Sequence, residues 1–148
     1  QLNYSNNIIG KQKNCVNFTN DNLEDVYSSR TFCLFEDIEK IKKIGLAKGG
    51  SLENAIVVDN EKIINKNGLR NEKEFVNHKI LDLAGDFLLS GHRILGRVDC
   101  YQGGHQLSNI FLRKLLQSKS SFEKVEINKI KIAEAPQFDQ TVKFAVNA

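Results

Sequence analysis

The sequence predicts an α+β fold, a two-layer sandwich in which a mixed sheet packs on two main helices. Two long stretches carry apolar residues at the spacing of amphipathic helices, and several shorter stretches are β-branched or alternate apolar with polar residues. A hairpin pattern stands between other predicted helices, which indicates an inserted β-hairpin or βαβ subdomain. At 148 residues, 41% of them hydrophobic and 26% charged, the chain has the size and composition of one globular domain.

The first part of the chain predicts short elements. Residues 1–11 are polar and indicate an entry loop or a short edge strand. Residues 13–20 alternate loosely between apolar and polar side chains, which predicts a strand. Residues 21–29 predict a short helix, because Asn20 or Asp21 can cap its start and the acidic residues in its first turns suit the helix dipole.

The middle of the chain predicts the inserted subdomain. Within residues 36–45, isoleucines lie on one side of a predicted helix that ends at a glycine. Residues 55–65 form the clearest hairpin pattern, with two β-branched arms separated by Asp-Asn-Glu, and an Asn-Gly turn follows. A helix followed by a hairpin at this point is what predicts the insertion.

The two main helices are predicted in the second half of the chain. Residues 71–91 carry the longest helical pattern, with a broad apolar face and a glycine at the end. Residues 105–118 predict a second amphipathic helix, which follows two glycines. Residues 93–102 and 125–132 predict strands, and the residues from Pro136 onward predict a tail that crosses the surface.

Composition and charge weigh against several classes of protein. The net charge of +3 comes from lysines scattered among acidic residues, so we expect no nucleic-acid partner. Neither a run long enough to cross a bilayer nor a secretory signal pattern is present, so we expect a soluble cytoplasmic protein without a transmembrane segment. Cys15, Cys33 and Cys100 lack CxxC spacing, which predicts reduced thiols and no cysteine zinc cage. The absence of any Met indicates a piece of a longer protein.

The stretch HKILDLAGD places His78, Asp82 and Asp86 four residues apart along one stripe of the predicted helix. Two carboxylates at this spacing repel each other by about a few tenths of a kcal/mol, which favours a nearby cation. A His and an Asp at positions i and i+4 lean over the same turn, and helix-borne zinc sites use this spacing. The spacing is also typical of a solvated helix face with a surface histidine, and taken alone it favours that alternative.

His105 follows two glycines at the predicted start of a helix, where side chains meet ligands and the backbone can be approached closely. An imidazole there can act as a proton donor held by a neighbouring carboxylate. A helix N-terminal residue without a partner is an equally good interpretation. The stretches KGGSLENAIV and SSRTF also suit contact with a ligand, although each taken alone is more often a structural turn.

Together, the segments SSRTF, KGGSLENAIV, GLRNEKEFVNHKILDLAGD and GGHQLSN resemble, in order and spacing, the UDP-3-O-acyl-N-acetylglucosamine deacetylase family, zinc amidases of lipid A biosynthesis. The resemblance runs from about Phe18 to about Leu116. Members of that family have two similar α+β domains, and the resemblance covers the second one. It implies that residues 1–148 are the C-terminal half of a deacetylase and are inactive alone. The missing N-terminal domain would supply a third zinc ligand, a His, and the Glu that acts as general base.

The resemblance also implies roles for individual residues at the reacting centre. His78 and Asp82 correspond to two of the protein ligands of Zn²⁺. His105 corresponds to the charged imidazole that stabilises the oxyanion and protonates the leaving amine, and Asp86 to the carboxylate that stabilises its charge. Thr31 corresponds to a donor toward the tetrahedral intermediate. The implied reaction is metal-assisted amide hydrolysis that releases acetate.

Contacts with the substrate, UDP-3-O-acyl-N-acetylglucosamine, are implied in the same way. Lys79 would contact the sugar nucleotide, Phe32 would pack against the glucosamine, and the backbone of Gly50 would lie near the sugar hydroxyls. Residues 33–68 resemble an insert that forms an apolar passage for the acyl chain. The residues expected along this passage are Ile38, Ala47, Leu52, Ala55 and Val57. Gln102 stands just before the Gly-Gly-His turn, where the family commonly has a basic residue. This difference puts the expected diphosphate contact in doubt.

A second hypothesis stands beside the deacetylase. The chain could be a non-catalytic binding or scaffold domain that keeps the fold and has lost the chemistry. That hypothesis predicts that His78→Ala and Asp82→Ala leave ligand binding unchanged, whereas the deacetylase hypothesis predicts that zinc binding is lost.

Overall fold

The computed structural model describes residues 1–126 of the chain. These residues form five strands, four α-helices and two 3-10 turns. In chain order they are β1 (Leu2–Asn3), β2 (Lys11–Gln12), α1 (Glu24–Tyr27), β3 (Thr31–Leu34), a 3-10 turn (Phe35–Asp37), α2 (Ile38–Lys43), β4 (Ala55–Asp59), β5 (Lys62–Ile63), α3 (Glu74–Leu88), α4 (His105–Gln117) and a 3-10 turn (Lys119–Ser121). The strand predicted over residues 125–132 lies outside the described residues except for its first two positions, and the predicted tail lies wholly outside them.

A three-stranded mixed sheet has the order β3-β4-β5. Strands β3 and β4 are parallel, with Thr31 opposite Ala55 and Leu34 opposite Val58, and α2 lies in the connection between them. Strands β4 and β5 are antiparallel and form the hairpin predicted from the sequence. The mixed sheet, the βαβ unit and the hairpin therefore confirm the predicted α+β class.

The two faces of the sheet have different neighbours. Ile56 and Val58 of β4 are buried in one cluster with Phe75 and Val76 of α3, and Leu2 and Ile9 from the N-terminal segment complete this cluster. Their register partners on β3 pack against the same cluster. Successive side chains of a strand point to opposite faces, so Ala55 and Val57 lie on the face away from this core.

Helix α3 is the centre of the helical layer, since it contacts α1, α4 and strand β3. Its first turn is the most buried part, with Glu74, Phe75, Val76 and Asn77 all inside. Farther along, the ring of Phe87 stacks on Phe111 of α4 with a centroid distance of 5.4 Å. The two main helices predicted from the amphipathic patterns are thus confirmed, and each begins and ends within a few residues of the predicted limits.

Two predicted strands are wrong, because their backbones pair locally or with side chains instead of with a strand. In residues 13–20, the Asn17 side chain accepts a hydrogen bond from the Thr19 N–H at 2.9 Å, and the Asn17 N–H donates to Asp21 at 2.8 Å. In residues 93–102 there is no strand either, and Gln102 has a left-handed φ of 52° that ends any extended backbone.

The first helix is shorter than predicted. Helix α1 spans Glu24–Tyr27, and the side chain of Asn22 accepts a hydrogen bond from the Glu24 N–H at 2.9 Å. Neither Asn20 nor Asp21 caps it, since Asp21 instead accepts the Asn17 N–H. Strand β3 was not predicted. None of the helices in residues 1–126 is long and apolar enough to cross a membrane.

A buried ion pair joins the start of α3 to the start of β3. The Glu74 carboxylate, whose side chain has no exposed area, accepts hydrogen bonds from Arg30 Nε at 2.8 Å and from Arg30 Nη2 at 3.1 Å. It also accepts from the backbone N–H groups of Arg30 at 3.0 Å and Arg70 at 2.6 Å. Four donors thus satisfy one buried carboxylate, as burial of a charge requires.

Truncation of the sheet core should destabilise the protein. Val58 is 1% exposed, so Val58→Ala should lower the free energy of unfolding by about 1.5–3 kcal/mol through lost burial and a residual cavity. Val98 is 43% exposed and provides the same substitution at the surface, where a change within about 0.5 kcal/mol is expected. Urea unfolding followed by circular dichroism measures both. Equal losses for the two variants would contradict the placement of the core.

The Glu74 pair should also make stability depend on pH. Burial disfavours the charged carboxylate, but hydrogen bonds from Arg30 and Arg70 outweigh burial, so the pKa of Glu74 lies below its usual value. A lowered pKa in the folded state gives stability that is complete above the usual pKa and lost as the pH falls through the lowered one. Glu74→Gln should cost about 3–5 kcal/mol near neutral pH, because it leaves Arg30 as an unpaired buried charge.

Urea unfolding of the wild type and of Glu74→Gln across the acidic range tests this expectation. The difference in unfolding free energy between the two proteins should shrink as the pH falls through the pKa of the folded-state carboxyl group. A difference that stays constant from neutral to strongly acidic pH would show that the charge of Glu74 does not contribute.

Candidate active site

Helix α3 brings His78 and Asp82 together on one face, as the i, i+4 spacing predicted. The Nε2 atom of His78 lies 3.3 Å from Oδ1 of Asp82, and the two side chains are 15% and 16% exposed. The pair is therefore largely buried but open on one side. A nitrogen and a carboxylate oxygen that converge in this way are a donor set that suits zinc.

The second ring nitrogen of His78 faces the protein. Its Nδ1 atom lies 3.3 Å from the carbonyl oxygen of Ser29, which can only accept a hydrogen bond. With the proton on Nδ1, Nε2 and Asp82 Oδ1 are two acceptors that face each other, an arrangement that a cation between them would stabilise. The other tautomer would donate from Nε2 to Asp82 and leave the Ser29 carbonyl unpaired by the ring.

Burial keeps the imidazole of His78 neutral. Desolvation lowers the pKa of His78 below its usual value and outweighs the opposite effect of the Asp82 charge and the Ser29 carbonyl. The ring of Phe32 lies with its centroid 6.4 Å from that of His78, in an edge-to-face arrangement. A neutral imidazole held between an aromatic ring and a carbonyl is the form that binds a metal ion.

The remaining oxygen of Asp82 is held by Lys79. Lys79 Nζ donates to Asp82 Oδ2 at 2.7 Å, and the Lys79 side chain is 22% exposed. The two oxygens of Asp82 therefore have different neighbours, a lysine and an imidazole. This ammonium group balances part of the negative charge of the carboxylate row.

Asp86, one turn farther along α3, contacts His105 at the start of α4. His105 Nδ1 lies 2.9 Å and 3.0 Å from the two oxygens of Asp86, whose side chain is 15% exposed. The imidazole itself is 72% exposed. Gly104 precedes the helix, and a side chain at Gly103 would overlap the Cys100 sulfur, so the tight turn before His105 requires glycine there.

Part of this group of residues lines one cavity between α3, α4 and the loop before α4, although neither His78 nor His105 is among the lining residues. The cavity is lined by Lys79, Asp82 and Asp86 from α3, by Cys100 and Gly103 from the loop, and by residues that do not bear on the chemistry. The candidate metal ligand Asp82 and the carboxylate that pairs with His105, Asp86, therefore share one solvent-accessible space.

Phe32 and Thr31 are neighbours on β3 and so point to opposite faces of the sheet. The Phe32 ring lies on the core face, in edge contact with Phe75 at 5.0 Å and with Tyr4 at 5.7 Å as well as beside His78. Thr31 is exposed at the first position of the strand. The structure thus places Phe32 beside the candidate metal ligand His78. Among the described residues, the Thr31 side chain makes no hydrogen bond to His78 or Asp82.

The residues predicted along an acyl passage lie in the insert between β3 and the end of β4. Val57 is buried, Ile38 and Ala55 are half-buried, and Ala47 and Leu52 are exposed. Gly50 is exposed in a turn in which its N–H donates to the Ala47 carbonyl at 3.0 Å. Ala55 and Val57 share the sheet face away from the core.

The side chain of Gln102, at the position where the family has a basic residue, bonds to the backbone of Asn3. Its Oε1 accepts the Asn3 N–H at 2.8 Å, and its Nε2 donates to the Asn3 carbonyl at 2.7 Å. The side chain therefore pairs with strand β1 as a neighbouring strand would. Both of its polar atoms are engaged by backbone.

Three contributors to the site were missed in the sequence. The Ser29 carbonyl is a backbone atom, which carries no side-chain signal, and Tyr4 reaches Phe32 from a segment far away in the chain. Glu74 lies one helical turn before His78, and this i, i+4 spacing was the one signal that could have indicated it. Within residues 1–126, no three His, Cys, Asp or Glu side chains are grouped to hold a metal, so His78 and Asp82 form an incomplete donor set.

Comparisons with known proteins identify the family. The family described as UDP-3-O-acyl N-acetylglycosamine deacetylase matches residues 1–117. The UDP-3-O-acyl-N-acetylglucosamine deacetylase of Campylobacter lari is 41% identical over 129 residues, which are 86% of this chain and 44% of that protein. The protein of the same name from Campylobacter fetus is 40% identical over 90% of this chain and 46% of its own length.

The relative from Nitratiruptor sp. is 42% identical over 84% of this chain and 42% of that deacetylase. The chain thus spans less than half the length of each of these curated relatives. The match to the family covers helix α3, helix α4 and the whole three-stranded sheet. This chain therefore belongs to the UDP-3-O-acyl N-acetylglycosamine deacetylase family.

Proposed function

We propose that this chain is the C-terminal half of a zinc-dependent hydrolase that removes the N-acetyl group from UDP-3-O-acyl-N-acetylglucosamine in lipid A biosynthesis. The observation that carries the proposal is the convergence of His78 Nε2 and Asp82 Oδ1 at 3.3 Å, one turn from the Asp86 and His105 pair. The names of the relatives support the substrate. All three cysteines are free, which is in keeping with the cytoplasm as the proposed location.

His78 and Asp82 fit a zinc ion by donor type, charge and protonation. The imidazole is kept neutral by burial, its Nδ1 faces the Ser29 carbonyl, and Nε2 faces the same space as the carboxylate. When bound, zinc supplies Lewis acidity toward the amide carbonyl and toward a water molecule. We propose that a missing N-terminal domain supplies the third ligand, a His, and the Glu general base, and that this chain alone is inactive.

His105 holds the proton needed by the leaving amine. Asp86 accepts at Nδ1 of His105, so the exposed Nε2 of the same ring is free to donate toward substrate. When protonated, the same imidazole also stabilises the negative charge that develops on the carbonyl oxygen. Thr31 is a further proposed donor toward that oxygen.

The remaining contacts bind and orient the substrate. Lys79 lines the cavity beside Asp82 and can reach the sugar nucleotide, while Phe32 offers an aromatic edge to the glucosamine. Residues 33–68 form the proposed acyl passage, with Gly50 near the sugar hydroxyls. The passage is proposed to be lined by Ile38, Ala47, Leu52, Ala55 and Val57.

Loss of the imidazole ligand should weaken zinc binding. In calorimetric titration with zinc, His78→Ala should bind at least about 10-fold more weakly than the wild type. Loss of a residue that only supports a metal ligand already weakens metal binding by about this factor, and loss of the ligand itself should weaken it at least as much. His92→Ala is the matched control, since His92 lies in an exposed turn after α3 and should leave the affinity unchanged. Unaltered zinc binding by His78→Ala would favour the non-catalytic scaffold instead.

Loss of the proton donor should slow the reaction without releasing zinc. In the full-length protein, His105→Ala should lower kcat about 10²–10⁴-fold, because a positioned general acid contributes a factor of that size. The zinc content, measured by atomic absorption, should stay at the wild-type value. A variant with wild-type kcat would refute the role of His105, and His92→Ala again serves as the control.

A further inference from the structure

The buried carboxylate of Glu74 accepts three of its four hydrogen bonds from one residue, Arg30. Two of its four donors are backbone N–H groups, those of Arg30 and Arg70, and the others are on the Arg30 guanidinium. The same guanidinium donates to the Gly68 carbonyl at 2.8 Å. Arg70 in turn donates to the Ser28 carbonyl at 2.6 Å. Residues 28–30 are therefore fixed to the start of α3 at several points.

This segment also makes the contact that orients the candidate zinc ligand. Glu74 and His78 are four residues apart on α3, so both side chains lean over the same side of the helix. Glu74 holds Arg30, and His78 Nδ1 meets the carbonyl of Ser29, the residue just before it. A displacement of Arg30 would move the Ser29 carbonyl away from the ring.

The stability of a buried ion pair does not by itself account for this arrangement. Replacement of such a pair by apolar residues of similar volume is often neutral or even stabilising, because both charges must be stripped of water. A pair that contributes little net stability can still fix geometry. Here the pair fixes the backbone at Ser29 and Arg30. The Ser29 carbonyl in that backbone is the acceptor that favours a proton on His78 Nδ1.

We propose that Arg30 and Glu74 form a positioning pair that holds the Ser29 carbonyl against His78 Nδ1 and so presents Nε2 to the metal. The proposal rests on the proposed function for the identity of the metal. The groups act through the Ser29 backbone, and neither of them contacts the metal or the substrate. Phe32, two residues after Arg30, lies beside the same imidazole.

The test compares Glu74→Gln with Val58→Ala in the full-length protein. Both variants lose stability, but Val58 lies in the sheet core and has no bond to residues 28–30. Nitrogen-15 NMR of the metal-free protein reports the tautomer of His78. We expect Glu74→Gln to lower the fraction with the proton on Nδ1 and to weaken zinc binding about 10-fold, the usual effect of losing a ligand's supporting contacts. Val58→Ala should change neither.

A second variant separates positioning from stability. Arg30→Met combined with Glu74→Leu removes both charges, so part of the stability lost in Glu74→Gln should return. Zinc binding should nevertheless stay about 10-fold weaker than in the wild type, because the bonds from Arg30 to Glu74 no longer fix the peptide group that carries the Ser29 carbonyl. Recovery of zinc affinity together with stability, or a wild-type tautomer in Glu74→Gln, would overturn the proposal.

The tautomer measurement also keeps this inference distinct from the proposed function, because it needs neither zinc nor substrate. If the wild type bound no zinc but the tautomer still shifted in Glu74→Gln, the proposed function would fail and the positioning role would stand. If zinc bound and the tautomer did not respond, the positioning role would fail and the proposed function would stand.

Discussion

The ion pair between Arg30 and Glu74 is the constraint on which the rest of this structure depends. It is buried at the point where α3, β3 and the turn before α3 meet, and four hydrogen bonds satisfy its carboxylate. Because the pair fixes α3 against the start of β3, it also determines where the candidate site residues on that helix lie relative to the sheet. The aromatic contact of Phe32 with Phe75 lies directly beside it and shares the same two elements.

Beyond that ion pair, one helix supplies most of the candidate site. Residues four apart on α3 carry an imidazole and two carboxylates, and each carboxylate has its own cationic or polar neighbour. Repulsion within the row is thereby relieved locally, by Lys79 at Asp82 and by His105 at Asp86. His105 reaches its position only because α4 packs on α3, with Phe87 stacked on Phe111. The candidate site thus depends on the four-residue spacing along α3 and on the packing of α4 against α3.

The sequence predicted those parts of the molecule that are determined by local periodicity. Both main helices and the hairpin follow from apolar spacing, and so does the shared face of His78 and Asp82. Strand β3 was missed because its strand character comes from parallel pairing with β4, a distant segment. The false strands arose where side chains of Asn17 and Gln102 hydrogen-bond the backbone, a competition that alternation does not reveal. The Ser29 carbonyl is invisible to any pattern of side chains.

In the proposed function this chain supplies two zinc ligands and a proton donor, and the family to which it belongs has members more than twice as long as the matched region. The most direct test of this account is acetate release from UDP-3-O-acyl-N-acetylglucosamine by the full-length protein, by its His78→Ala variant and by this chain alone. We expect deacetylation by the full-length wild type that a chelator abolishes and zinc restores, and none by the other two proteins. Deacetylation that survives chelation or His78→Ala would contradict it.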